Sequence, residues 1–157
     1  MRRDVNGPGG SGSPKFAFVA WLAARDRLST MDRISKWDHR VDETCVLCKR
    51  EPESRNHLFF ECVFSASVWE HLTKGILLSN HSNVWQDIVF IISDERMEGK
   101  KRYCLRYAFQ AAIHAIWRER NKIRHNEKAL PITAVMKMVE KGVRNKLSIL
   151  RTKRVKG

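Results

Sequence analysis

The sequence predicts an all-α fold: a small helical domain gathered around one cluster of cysteines and a histidine, followed by long basic helices. Three observations predict it. Apolar residues recur near the 3.6-residue period over two long stretches, with Leu105, Ala108, Ala112, Ala115 and Ile116 in the first. Ile132, Val135, Val139, Val143, Leu147 and Leu150 form the second stripe. Three of the four cysteines and one histidine fall within residues 45–62.

The elements follow in order. Residues 1–14 are rich in Gly, Ser and Pro and read as a flexible lead. A helix is expected from about Lys15. Phe16, Val19, Ala20 and Ala23 mark one face of it, and Phe18, Trp21 and Leu22 another. So wide an apolar surface predicts burial on most sides. Ser29 or Thr30 caps a short second helix reaching Trp37, with Met31 and Ile34 inward. Residues 38–44 are polar, and residues 49–54 read as a solvated loop.

Ser65 is the expected N-cap of a helix carrying Val68, Trp69 and Leu72, with Gly75 as its stop. Residues 85–92 have the composition of a strand, but Ser82 or Asn83 as a cap favours a helix. Residues 94–99 form a turn, and the longest helix runs from about Lys100 to about Arg124. Pro131 suits the first turn of the last helix. The chain therefore divides into the lead, a segment over 15–75 and a basic helical extension over 76–157.

The cluster reads C-x2-C-x8-H-x4-C, through Cys45, Cys48, His57 and Cys62. Thiolates and imidazole in a closed set of four suit a structural Zn2+ ion. A catalytic zinc keeps a position open for water, so hydrolysis at this site is not expected. The even cysteine count admits disulfides, but the clustering and the histidine point to metal and a reducing compartment. Short retroviral knuckles have four residues between the second Cys and the His. Here there are eight, so a knuckle-type guanine pocket is not implied. Cys104 reads as a small buried hydrophobe. His114 reads as a core histidine, and Trp21, Trp69 and Trp85 as core.

The flanks of the cluster add a resemblance. His57-Leu58-Phe59-Phe60-Glu61-Cys62 with the following Trp69, and Lys15-Phe16-Ala17-Phe18-Val19-Ala20-Trp21-Leu22-Ala23 upstream, resemble one family closely. It is the zinc-binding domain found downstream of the reverse transcriptase in plant LINE-type (non-LTR) retrotransposons. Arg25, Arg27, Leu28 and Thr30 are similar to its leading segment, and residues 116–121 to the W-x-x-R-N segment that often follows it. The resemblance implies a partner reverse transcriptase module, and a role in gripping template RNA or target DNA beside it.

The formal charge of +13 favours a polyanionic partner. Residues 41–72 hold three basic and six acidic residues, whereas residues 100–125 and 137–156 each hold eight basic and one acidic. Arg118, Arg120, Lys122 and Arg124, with Lys137, Lys141, Arg144, Lys146 and Arg151, are the expected nucleic-acid contacts. Such contacts are mainly to phosphates and largely sequence-independent. Trp117 reads as core more readily than as a stacking platform for a base.

Polymerase and nuclease chemistry needs converging carboxylates, and no two aspartates are adjacent. The chain is expected to have no catalytic activity of its own. The alternatives are a protein-interaction module and a degenerate retroelement remnant. Arg2 and Arg3 are separated from the apolar run over 16–24 by Gly, Ser and Pro, so a signal peptide is not expected. No stretch reaches the ~20 apolar residues of a membrane span. The expected location is nuclear or cytoplasmic, not secreted.

Overall fold

The computed structural model of the chain describes residues 14–77 and 81–156, without the side chains of residues 75, 76, 147 and 149–156. The lead lies outside the described residues except for Pro14. The described elements are α1 (Pro14–Ala24), α2 (Met31–Ile34), a π-helical turn (His57–Glu61), α3 (Val63–Leu77), α4 (Trp85–Ile92), α5 (Gly99–Arg124) and α6 (Ile132–Lys156). No strand occurs among the described residues; Thr44 and Pro52 form an isolated antiparallel bridge. The all-α expectation holds.

The long helix α5 is the spine. Helices α1, α3, α4 and α6 and the π turn all pack on it. Its buried residues run from Cys104 through Ala108, Ala112 and Ile116 to Arg120, on more of its circumference than a single stripe. Helix α1 packs on α5 and itself buries only Ala20 and Ala23. Helix α1 is consequently less buried than its apolar surface suggests: Phe18 is 59% exposed and Trp21 half-buried.

Local rules set the helix ends. Glu98 caps α5 by accepting hydrogen bonds from the backbone N–H groups of Lys100 and Lys101. At its other end Asn126 has φ 59°, and the N–H of Glu127 reaches back to the Lys122 carbonyl at 2.7 Å. Asp26, with φ 52°, closes α1 in the same way through Arg27 N–H to Leu22 O at 2.8 Å. Both are Schellman closures, in which a short polar side chain tolerates the left-handed conformation.

Several local expectations change. Helix α3 begins at Val63, two residues before Ser65, and passes through Gly75 to Leu77. Ser65 is buried within it and donates its hydroxyl to the Leu58 carbonyl. The N-cap position of α4 is Val84; Ser82 instead accepts from the Val84 N–H and donates to Asp87. Helix α2 is a single turn after Thr30, and Trp37 beyond it is 75% exposed. Of the stripe expected on α6, Val135 and Val139 are buried and Ile132 and Val143 partly so. The side chains of Leu147 and Leu150 lie outside the described residues.

Candidate metal centre

The first two ligands sit on a tight turn. Cys45 N–H donates to the Glu51 carbonyl at 2.8 Å and Lys49 N–H to the Cys45 carbonyl at 2.8 Å. Lys49, with φ 58°, turns the chain back. The other two ligands flank the π turn. In an α-helix, positions five apart are rotated by about 500°, which leaves them some 140° out of register. The wider closure of a π turn, here Cys62 N–H to His57 O at 2.7 Å, returns them to one side. The same turn buries Leu58, Phe59 and Phe60 completely. The turn and its capping residue therefore hold two candidate ligands on one flank and feed the core on the other.

The four ligand atoms converge. All lie within 4.8 Å of one another. Cys45 Sγ and Cys62 Sγ are 4.0 Å apart, and Cys48 Sγ and His57 Nε2 are 3.3 Å apart. A tetrahedron with Zn–S bonds of about 2.3 Å has S–S edges of about 3.8 Å, so the residues fit a zinc ion. Cys45 and Cys62 are fully buried, His57 is nearly so and Cys48 is half-buried. The hydrogen bond between the sulphurs, with burial, pushes the Cys45 thiol up, and the same bond holds Cys62 down. A divalent cation takes the place of protons at such a thiol pair. Four protein donors would close the coordination shell of such an ion and give it a structural role.

One residue inside the expected solvated loop behaves differently. Glu53 is fully buried. Its Oε1 accepts from Met31 N–H at 2.9 Å and from Arg120 Nη2 at 2.7 Å, and its Oε2 accepts from Arg120 Nε at 3.1 Å. Arg120 is 4% exposed, donates also to the Ser29 carbonyl at 3.1 Å, and lies 4.5 Å from the centroid of Trp117. It is thus a core residue joining α5 to the metal loop, and it leaves the group of basic residues free to meet a ligand. A salt-bridging acid 67 positions away carries no local sequence signal.

The other basic residues divide. Arg118 and Lys122 each approach the buried carboxylate of Glu119 at 3.3 Å. Burial raises the Glu119 pKa, but hydrogen bonds from Leu130 N–H, Lys122 and Arg118 outweigh it and hold the carboxyl below its ordinary value. Lys146 lies 5.8 Å from the Tyr107 ring centroid, on the inner side of α6. Arg124, Lys137, Lys141 and Arg144 are exposed, and Arg144 pairs with Glu140 at 2.6 Å. The Arg151 side chain lies outside the described residues. Trp117 is half-buried and packs against the core, 6.3 Å from Phe59. Cys104 is buried, and burial lowers the pKa of His114, with the charges of Arg118 and Lys15 adding to it.

Fold and centre together define a class: a helical domain whose three cysteines and one histidine fit a structural zinc ion. Residues 10–69 match the family model described as zinc-binding in reverse transcriptase, which supports a reverse-transcriptase-associated zinc-binding domain over this part of the chain. Comparison with curated proteins and with solved structures finds no match.

Proposed function

We propose that the chain is a zinc-stabilised nucleic-acid-binding module that grips template RNA or target DNA through its phosphates and catalyses nothing itself. The observation that carries this reading is the formal charge of +13, with Arg124, Lys137, Lys141 and Arg144 exposed. On α6 the three exposed cations fall opposite Val135 and Val139, so they share the outer face of one helix. The reading includes a reverse transcriptase module as neighbour, an origin in a plant LINE-type element, and a nuclear or cytoplasmic location.

The test is a binding titration across salt on single-stranded RNA and duplex DNA. With about four phosphates engaged, affinity should fall roughly a hundredfold between 50 and 200 mM salt. Lys137→Gln, Lys141→Gln and Arg144→Gln together should flatten that slope on all sequences alike. Binding weaker than millimolar, or indifferent to salt, rejects the reading. The second reading is a protein-interaction module. It is favoured by exposed Phe18, Trp37 and Phe90, at 59%, 75% and 69%. A stoichiometric protein partner whose binding needs these side chains would put it ahead.

A further inference from the structure

A pocket of about 240 Å³ opens between α1, α4 and α5, with no residue of the metal centre in its lining. Trp21 and Ala24 of α1, Val89 of α4, and Arg106, Phe109 and Gln110 of α5 line it. Its volume is below the ~300 Å³ where sites for drug-sized ligands begin, so it suits a single ring system rather than a whole nucleotide. Three features give it chemistry. Gln110 is 7% exposed, and its side-chain oxygen has no hydrogen-bond partner among the described residues. A buried acceptor left unpaired is costly, and a ligand N–H would relieve that cost.

Arg106 is exposed, and its Nε is fixed by the Ile92 carbonyl at 2.8 Å. Trp21 is half-buried and belongs to an outward stack on α1. Phe18 lies 6.4 Å from it with ring planes 22° apart, and the Arg25 guanidinium lies 4.8 Å from its centroid. Positive side chains therefore stand beside an aromatic wall, and Gln110 forms part of the lining.

Building on the nucleic-acid reading, we infer that this pocket receives one unpaired base of a single strand. The base packs against Trp21, offers an N–H to Gln110, and leaves its phosphates to Arg106 and Arg25. Every base has a π face and an N–H group, so the pocket distinguishes strands that can splay a base out from those that cannot. A duplex keeps its bases stacked and paired, so the pocket favours single strands. This differs from phosphate gripping on α6, which a duplex satisfies equally.

The test compares RNA single strands about twelve nucleotides long with abasic ribose-phosphate strands of the same length, in low salt. Wild type should prefer the base-bearing strand roughly tenfold. Trp21→Ala and Ala24→Phe, the second filling the pocket from a solvent-exposed position, should each abolish that preference. Ala24→Phe should leave abasic-strand affinity and its salt slope unchanged. Equal, salt-dependent binding of both strands by wild type overturns the pocket and leaves the phosphate reading standing. Preference that survives both variants also overturns it. Absence of binding to either strand rejects both.

Discussion

Arg120 Nη2 lies 2.7 Å from Glu53 Oε1, with both side chains buried. This pair ties the loop between Cys48 and His57 to the spine helix. Removing one partner strands the other charge in a low-dielectric interior, at a cost of about 3–5 kcal/mol. Glu53→Gln and Arg120→Met are each expected to lose most of the chain's margin, since domains hold only about 5–15 kcal/mol. Denaturant melts of zinc-saturated protein check this. Loss under about 1 kcal/mol would show the pair to be dispensable.

The chain should bind one zinc ion through Cys45, Cys48, His57 and Cys62. Metal analysis of purified protein, with Cys48→Ser as control, measures it. Chelation should begin by unfolding the loop, because binding energy at such a site is local folding energy. It should then spread, because Phe60 belongs to the π turn and stacks on Phe109 of α5 at 5.6 Å. Unchanged helicity and melting after complete chelation would contradict the assignment.

Phe60 is the core position with the most to lose. It is fully buried and also meets Trp69 at 5.3 Å and Trp85 at 5.6 Å. Phe60→Ala should cost about 3–5 kcal/mol through lost burial and the cavity left behind. Phe60→Leu should cost less. Equal effects would mean that the aromatic contacts, rather than the buried volume, carry the loss.

Glu119 sets a pH dependence. Its folded pKa is depressed, so its contribution to stability is fully present above the unfolded value of about 4.3 and is lost as pH falls through the folded value. Wild type should exceed Glu119→Gln in unfolding free energy at neutral pH. The gap should narrow as pH drops below about 4.3. A gap that stays constant into acid would show that ionisation of Glu119 does not matter.

Purified protein should show no primer extension and no nuclease activity with magnesium or manganese. Activity that survives purification and disappears on substitution of one specific Asp or Glu would reveal a carboxylate site overlooked in the sequence.

The sequence alone determined the helical class, the order of the helices and the four residues that converge as candidate ligands. These rest on local signals: a 3.6-residue period in α5 and α6, and soft donors at short spacings. It also pointed to Trp69 and Trp85 as core, and both are buried. Tertiary structure alone decided which polar residues would be buried. Glu53 sits among polar neighbours and Arg120 in a run of cations, and nothing local marks either for the interior. Their fate depends on two distant segments meeting, because a buried charge is tolerable only where its partner arrives. The π turn is of the same kind. Five positions from His57 to Cys62 are out of register on an α-helix, and convergence on one metal centre, with Leu58, Phe59 and Phe60 packed behind, selects the wider turn.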